Sequence, residues 1–185
     1  MRDTIKVGDA FIIKKGKKVD ECPYSATAVR YLQIDDLRCD DNIKYCEQDS
    51  SIVKATPNDI IIAWDGANAG TCGYGLEGII GSTLALLSPK TDLLDSKYAG
   101  LYLKSQFQYL RDNCTGATIP HISKPVLQEI EIPLLEKDVQ LKIVQVCEKV
   151  LSLISKRKEQ LTLMEKLVQD TFIDMFGDPV SNPMG

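Results

Sequence analysis

The sequence predicts a mixed α/β (α+β) fold, in which a globular domain with a mixed, curved sheet precedes one long C-terminal α-helix. Short apolar runs separated by Gly, Pro, Asn and Asp fill the first two thirds of the chain, a pattern typical of short strands. Residues 138–176, by contrast, contain no Gly or Pro, and their apolar residues recur at intervals of three and four. We therefore expect a globular domain at 1–134, a long helix at 135–176 and a linker at 177–185.

The predicted elements alternate with turn signals along the globular domain. Pairs such as Pro57-Asn58 favour turns between strands, and the spacing of Tyr98, Leu101 and Tyr109 indicates a helix. In chain order we expect a strand or turn-and-strand at 4–13 interrupted at Gly8-Asp9, a basic loop at 14–18, strands at 31–34, 51–55 and 60–64, glycine-rich turns at 65–78, a strand at 79–87, a helix at 96–112, a loop at 115–120, a short helix at 125–130 and an edge strand at 131–134.

The long helix carries a stripe typical of a coiled coil. At 1.5 Å per residue it would be about 58 Å long, whereas a domain of about 130 residues is nearer ~30 Å across. The helix therefore needs a partner helix to cover its apolar face, and a second stripe of Val139, Val146, Leu153 and Leu167 widens that face. The expected interface residues, in which Arg157 replaces an apolar residue, are Ile143, Cys147, Val150, Ile154, Arg157, Leu161, Met164 and Val168.

Composition limits the class of protein. The 185 residues suffice for one domain and an appendage, and 44% hydrophobic residues suffice for a core. None of the six cysteines forms a C-x-x-C pair, so neither a zinc ribbon nor a thioredoxin-like site is expected, and we predict no metal site. The first residues do not resemble a signal peptide, and no apolar run approaches the roughly 20 residues of a membrane span. We expect a cytoplasmic protein with reduced cysteines.

Basic charge is clustered, although the net charge is −4. Residues 1–18 carry six basic and two acidic residues, whereas residues 19–60 carry four basic and nine acidic ones. Residues 101–125 carry three basic residues against Asp112 alone. Local clusters rather than totals create a surface that faces phosphates, so the acidic total does not exclude DNA binding.

The motifs of several enzyme classes are missing from the sequence. It contains no Asp/Asn-Pro-Pro-aromatic motif for holding a target base, no strand–GxG–helix unit for S-adenosylmethionine and no GxxxxGK(S/T) motif for a motor ATPase. One alternative is a small metal-dependent nuclease that uses Asp65, Asp95 and Lys97. Such a site needs strands to aim two carboxylates at one metal ion, whereas residues 89–97 favour a turn that enters a helix. We expect no catalytic residue in this chain.

The candidate DNA-contacting residues lie mainly in predicted loops. The lysines at 14–18 suit phosphate binding, although such loops are often only solvated turns. His121, the one histidine, is either a hydrogen-bonded loop residue or a base or phosphate contact. Asn68 can bind adenine in the major groove, while the glycines around it indicate tight turns. The set expected on one face is Lys14, Lys15, Lys17, Lys18, Arg30, Asn68, Tyr74, Thr118, His121 and Lys124.

Two adjoining stretches near the C-terminus are the most informative. The segment IPHIS occupies 119–123, and EIEIPLL at 129–135 leads into the long helix with Gln140. Further segments are IKVGD at 5–9, YLQIDDL at 31–37, NDIII at 58–62, TGAT at 115–118 and MFGDP at 175–179. In this order and spacing they resemble the DNA-specificity (S) subunit of Type I restriction–modification systems. The chain departs from the family at Leu135-Glu136, where two prolines are usual, and at Val139, where Glu is usual.

The resemblance implies a non-catalytic subunit that chooses a DNA sequence for other subunits. Complete S subunits resemble two such units in tandem: each target recognition domain reads one half of a split target, and two antiparallel helices set the gap. Methyltransferase subunits and restriction (motor-nuclease) subunits would be the partners. S-adenosylmethionine and ATP would belong to those partners rather than to this chain. Base-contacting residues cannot be transferred from the family, because recognition loops differ between its members.

The chain resembles the N-terminal half of such a subunit, either a natural half-subunit or a shortened one. A second copy is then expected to replace the other half in an antiparallel homodimer, which would read a palindromic split site. An alternative from a different class is a coiled-coil adaptor without a DNA role. Salt-dependent binding to duplex DNA separates the two, because phosphate contacts give a steep dependence on salt.

Overall fold

Two units make up the chain in the computed structural model, which describes residues 3–48, 52–116 and 118–177. The first unit extends to Lys142 and the second begins at Ile143. Strands and short helices fill the first unit, and one long helix begins in its last residues. The predicted class, a mixed α/β fold with a long C-terminal helix, is confirmed.

The elements in the described part of the chain are mostly short. The strands are β1 (Thr4–Lys6), β2 (Phe11–Lys15), β3 (Glu21–Cys22), β4 (Val29–Leu32), β5 (Lys44–Cys46), β6 (Lys54–Ala55), β7 (Ile60–Ala63), β8 (Cys72–Tyr74), β9 (Gly78–Ile80), β10 (Leu84–Pro89) and β11 (Glu131–Pro133). The helices are α1 (Val7–Ala10), α2 (Ser96–Ser105), α3 (Phe107–Asp112), α4 (Lys124–Glu129) and α5 (Lys137–Phe176), with a 3-10 helix at Asp35–Leu37.

Among the residues that the structure describes, the strands form three sheets rather than the single sheet that was expected. The first has the order β2-β10-β7-β8 and is antiparallel throughout. The second has the order β3-β5-β4-β9-β6 and is mixed, because β4 and β9 run parallel. Strands β1 and β11 form a separate antiparallel pair, in which Ile5 is the partner of Ile132. A salt bridge of 2.6 Å from Lys6 Nζ to Glu129 Oε2 lies beside this pair.

Strand β7 is buried and leads directly into the loop at residues 65–70. All four of its residues are fully buried, and an unbroken apolar run suits a strand that is covered on both faces. Ile61 and Ala63 share a core with Leu32 and Ile80 of the mixed sheet, so this core joins the two larger sheets. The loop at residues 65–70 therefore follows a fully buried strand.

Several predicted boundaries inside the globular unit are wrong. The expected strand at 79–87 is two strands, β9 and β10, because a turn closes between them where the Leu84 N–H donates to the Gly81 carbonyl (3.0 Å). The expected helix at 96–112 is divided at Gln106 into α2 and α3. Strand β8 lies inside the stretch that was expected to contain only turns, and strands β3 and β5 were not predicted.

Predicted boundaries nearer the N-terminus also differ from those in the structure. The break at Gly8-Asp9 is a helical turn, α1, and Lys14 and Lys15 belong to β2, so the basic loop begins only at Gly16. The strand expected at 31–34 is β4, which ends at Leu32, because the Gln33 N–H donates to Asp36 Oδ2 (2.7 Å) and starts the 3-10 helix. Ser51 of the strand expected at 51–55, and residues 178–185 of the expected linker, lie outside the described residues.

Helix α5 is continuous over 40 residues, which confirms the long helix. Its length is about 60 Å at 1.5 Å per residue. Gly177 ends it with φ of 82°, and the Gly177 N–H donates to the Ile173 carbonyl (2.8 Å). Every residue from Lys149 to Phe176 is exposed. No helix in the described ranges is both long enough and apolar enough to cross a membrane.

The first turn of α5 is fastened to the globular unit by Gln140, which is fully buried. Its Oε1 accepts from the Asp95 N–H (2.7 Å), and its Nε2 donates to the carbonyls of Leu93 (2.9 Å) and Leu135 (2.7 Å). One side-chain amide thus satisfies three backbone groups. Asp95 in turn caps α2 by accepting from the Tyr98 N–H (3.0 Å).

We expect Gln140→Leu to lower the free energy of unfolding by about 3 kcal/mol. Each buried backbone group that loses its partner costs about 1–3 kcal/mol, and the added apolar contact offsets only part of that. Urea unfolding followed by circular dichroism measures the change. Lys142→Leu, at an exposed position on the same turn, is the matched control and should change stability by less than ~0.5 kcal/mol. Equal losses in the two variants would contradict this role of Gln140.

Candidate nucleic-acid interface

The loop at residues 65–70, between β7 and β8, is the centre of the candidate site. Gly66 and Gly70 have φ of 90° and 95°, in the left-handed region that side chains disfavour. The Ala69 N–H donates to the Gly66 carbonyl (3.0 Å), and the Gly70 N–H donates to the Ala63 carbonyl (2.9 Å). These bonds hold the loop backbone in one conformation between two buried strands.

Asp65 opens this loop and brings two predicted contact residues together. Lys15 Nζ lies 2.7 Å from Asp65 Oδ2, and His121 Nδ1 lies 2.5 Å from Asp65 Oδ1. The Asp65 side chain is only 16% exposed, whereas those of Lys15 and His121 are 50% and 47% exposed. The carboxylate is therefore mostly buried, while both basic side chains remain accessible to a ligand.

The backbone places His121 beside Asp65. The Ile122 N–H donates to the Trp64 carbonyl (2.9 Å), which pairs the two segments residue by residue. His121 and Thr115 also exchange backbone hydrogen bonds of 2.7 and 2.9 Å. The loop before α4 is thus folded onto the end of β7 across 56 residues of sequence, a contact that no local pattern could indicate.

The pKa of Asp65 is lowered from its ordinary value. Partial burial acts to raise this pKa, but hydrogen bonds from Lys15 and His121, together with their charges, outweigh the burial. The carboxyl group is therefore ionised at neutral pH. An ionised carboxylate only accepts hydrogen bonds, so both basic residues act as donors to it.

Two arginines that the sequence did not single out hold the middle of the loop. Arg38 Nη2 donates to Asn68 Oδ1 (2.7 Å), and Arg111 Nη1 donates to the Ala67 carbonyl. Because a guanidinium only donates, Arg38 requires the amide oxygen of Asn68 to face it, which leaves Nδ2 as the donor for a ligand. Both arginines are exposed. The basic excess at 101–125 was the available signal for Arg111, while Arg38 lies in the acidic stretch and had none.

Tyr74 is partly built into the fold. Lys104 Nζ lies 4.6 Å from the centroid of its ring, within the range of a cation–π contact. The ring packs so closely on α2 that a Cβ atom at Gly100 would lie 2.7 Å from Tyr74 Cδ1. A cleft of about 360 Å³ beside Gly70 is lined by Arg38 and Lys104 among others. The two basic residues therefore flank the same side of the loop.

Arg30 supports the site indirectly. Arg30 Nη2 lies 2.7 Å from Asp36 Oδ1 and also bonds Asp40, so two carboxylates neutralise its charge. Partial burial acts to lower the pKa of Arg30, but these ion pairs outweigh it and the pKa is raised. The guanidinium fastens the 3-10 helix that immediately precedes Arg38. In this structure Arg30 is paired within the fold rather than presented to a ligand.

The remaining predicted DNA-contacting residues lie near the end of β2 and close to the start of α4. Gly16 passes so close to the next strand that a Cβ atom there would lie 2.2 Å from the Gly81 carbonyl, which fixes where the basic loop leaves β2. The other predicted contact residues that are exposed are Lys14, Lys17, Lys18, Thr118 and Lys124. The structure therefore brings Lys15 and His121 together through Asp65, and Asn68 follows Asp65 by three residues.

The carboxylates of the alternative nuclease site are engaged separately. Asp65 bonds Lys15 and His121, while Asp95 is the N-cap of α2. Within residues 3–48, 52–116 and 118–177, no three His, Cys, Asp or Glu side chains are grouped as a metal site requires. The groups that the site offers are cations, one amide and one imidazole, which suit hydrogen bonding to a polyanion and its bases.

Comparisons with known proteins agree on one family. Residues 3–163 match the family model described as the Type I restriction modification DNA specificity domain. The chain is 30% identical over 168 residues to the Type I restriction enzyme MjaVIII specificity subunit of Methanocaldococcus jannaschii, a match that covers 89% of this chain and 39% of that protein.

Solved structures show the same fold. The S subunit of a Type I restriction–modification system from M. genitalium aligns with a TM-score of 0.61 and 22% identity, over 92% of this chain and 43% of that one. A chain from a structure on complex assembly and conformational transition of the type I R-M system aligns with a TM-score of 0.67 and 22% identity, over 91% and 43%. The chain spans about two fifths of the length of these relatives.

Asp65→Asn is expected to alter the pH dependence of stability. Because the native pKa of Asp65 lies below its ordinary value of 3.8, the carboxylate stabilises the fold above that value. This contribution is lost as pH falls through the native pKa. The stability difference between wild type and variant should be present at pH 7 and shrink below about pH 4. Urea unfolding at several pH values measures it, with Asp41→Asn at an exposed position as control. A difference that is constant with pH would contradict the ion-pair role.

Proposed function

The chain belongs to the Type I restriction modification DNA specificity family, and from that membership we propose that it recognises one half of a split DNA target for a Type I restriction–modification complex. In this role it performs no chemistry and supplies sequence choice to other subunits. Methyltransferase subunits dock on it, and restriction subunits join them. S-adenosylmethionine and ATP belong to those subunits, and the complex acts in the cytoplasm.

The observation that carries this proposal is the organisation of the loop at 65–70. Its backbone follows a buried strand, and four basic side chains from distant parts of the chain converge on it: Lys15, Arg38, Arg111 and His121. A loop fixed by hydrogen bonds, with polar groups beside three cations and one imidazole, is what sequence recognition requires. The cations hold phosphates and set the register, and the loop side chains meet base edges.

The contacts divide by chemistry. Lys17, Lys18 and Lys124 are exposed cations suited to phosphates. Asn68 and His121 carry groups that can discriminate bases, because each offers a directed donor or acceptor beside the fixed loop. Arg38 and Arg111 hold the loop with one nitrogen each, and a guanidinium retains further N–H donors for a phosphate.

We further propose that α5 pairs with a second copy of itself. The spacing of the stripe from Ile143 to Val168 alternates strictly between four and three residues. Most of its side chains are exposed in the single chain, with Ile154 at 47%, Leu161 at 61% and Val168 at 71%. An apolar stripe of this length is unfavourable in water and marks an interface. A second copy presents the complementary stripe without any further partner.

An antiparallel pair suits this stripe better than a parallel one. In an antiparallel coiled coil the layers would pair Ile143 with Val168, Cys147 with Met164, Val150 with Leu161 and Ile154 with Arg157. A parallel pair would place Arg157 directly against its own copy, and like charges in one layer repel. The antiparallel arrangement instead gives each Arg157 an apolar neighbour and a route to solvent or to Glu159. Such a dimer would read a palindromic split site.

We expect Lys17→Ala with Lys18→Ala to weaken binding to all DNA duplexes about equally. Loss of phosphate contacts should flatten the dependence of log K on log salt by about one unit per contact. Asn68→Ala should instead change the preferred sequence, at about 1–3 kcal/mol for a base contact. Fluorescence anisotropy with the methyltransferase subunits present, over a range of salt concentrations, measures both.

The matched control for the lysine pair is Lys44→Ala with Lys54→Ala. It makes the same change in net charge, at two lysines that form ion pairs with Glu21 and Glu77. Equal salt slopes in both double variants would remove Lys17 and Lys18 from the interface. A wild-type complex whose duplex binding does not depend on salt would favour the adaptor alternative.

Ile154→Glu is expected to dissociate the dimer, because it places a carboxylate in the apolar stripe. Arg157→Leu should strengthen the dimer by completing that stripe. Sedimentation velocity at micromolar concentration distinguishes a 20.5 kDa monomer from the dimer. Ser152→Glu, on the opposite side of the helix from the stripe, is the control and should leave the dimer intact. A wild-type monomer would show that another helix, not a second copy, covers the stripe.

A further inference from the structure

The hydrogen bond between His121 and Asp65 determines which imidazole nitrogen carries the proton. His121 Nδ1 lies 2.5 Å from Asp65 Oδ1, and Lys15 Nζ occupies Oδ2 at 2.7 Å. A carboxylate beside an ammonium group is ionised and only accepts hydrogen bonds. Nδ1 must therefore be the donor. In a neutral imidazole one nitrogen donates and the other accepts, so Nε2 is left without a proton.

A backbone hydrogen bond also holds together the two segments that carry Asp65 and His121. The Gly66 N–H donates to the Pro120 carbonyl (2.9 Å), so the residues next to both side chains are also tied together. His121 Cδ2 lies 3.1 Å from the point where a Cβ atom at Gly116 would stand, and Gly116 has φ of 94°. The ring thus lies over a glycine on one side and against a carboxylate on the other.

Nε2 is the part of His121 that a ligand would meet. The side chain is 47% exposed, and Asp65 engages Nδ1 rather than Nε2. We propose that Asp65 is a positioning residue for recognition: it fixes His121 in the tautomer whose Nε2 accepts, so that His121 reads a hydrogen-bond donor on a base edge. This inference rests on the proposed function.

The polarity of Nε2 separates two kinds of DNA contact. Phosphate oxygens carry no donor, so a neutral His121 held in this way has no hydrogen bond to offer a phosphate. In the major groove the donors are the N4 amino group of cytosine and the N6 amino group of adenine. His121 therefore selects cytosine or adenine at one position of the target strand and disfavours guanine and thymine there.

Lys15 determines how the amide group would be oriented in the isosteric variant Asp65→Asn. In Asp65→Asn, the amide oxygen must face Lys15, because an ammonium only donates. The amide NH₂ then faces His121 Nδ1, which must accept, and the proton moves to Nε2. A carboxylate-to-amide change beside a histidine is known to impose the wrong tautomer in this way. The variant should thus invert the polarity of Nε2 and favour guanine or thymine.

Because His121 is the one histidine, nitrogen-15 NMR of the histidine-labelled full chain reports this ring alone. At a pH where the ring is neutral, long-range proton–nitrogen correlations should show Nδ1 protonated in the wild type and Nε2 protonated in Asp65→Asn. Lys15→Met is the matched control, since it leaves the His121–Asp65 bond and should keep the proton on Nδ1. A wild-type ring protonated on Nε2 would overturn the inference whether or not the protein binds DNA.

The base preference is measured with a duplex library and the chain assembled with its methyltransferase subunits. His121→Ala should make one target position indifferent to sequence. At that position the wild type should prefer cytosine or adenine by on the order of tenfold, and Asp65→Asn should reverse the preference. If the wild type and Asp65→Asn show the expected tautomers but have the same base preference, His121 does not read a base, although the proposed function stands. Failure of the wild type to bind any duplex would overturn the proposed function, and with it the readout.

Discussion

One mostly buried carboxylate organises the candidate interface. Asp65 lies at the end of a fully buried strand and bonds a lysine from β2 and a histidine from the loop before α4. Three segments that are far apart in sequence therefore meet at one residue. Asp65 and the glycines beside it hold the loop in place, whereas Asn68 bonds Arg38 through its amide oxygen and keeps its amide nitrogen as a donor for a ligand.

Periodic patterns made the long helix and the buried strand predictable. The absence of Gly and Pro from 138–176 and the regular apolar spacing indicated α5 to within two residues of its start, because both properties are local. The unbroken apolar run of β7 indicated burial on both faces. The sequence did not predict the turn between β9 and β10, because serine and threonine, which stand at 82 and 83, are also common in strands. Only the hydrogen bond that closes the turn at Gly81 distinguishes a turn from a continuous strand.

The site was predictable only in part, because its geometry depends on contacts between distant segments. Lys15, Asn68 and His121 could be named from residue type and loop position. The hydrogen bonds that hold the loop at 65–70 could not be predicted, because nothing near Arg38 or Arg111 in sequence indicates that each donates to this loop. Gln140 illustrates the same limit. It was visible as part of a family segment, but two of its three backbone partners, Leu93 and Asp95, lie more than 40 residues away.

The pairing of β1 with β11 has a consequence for how such domains are inherited. Ile5 faces Ile132, so the chain enters and leaves the globular unit at neighbouring points, and the 2.6 Å ion pair between Lys6 and Glu129 closes the same seam. A segment whose two ends lie side by side can be exchanged for another of different loop sequence without altering the spacing of whatever flanks it. An exchange at this seam would therefore replace the whole globular unit in one step and leave the sequence of α5 unchanged.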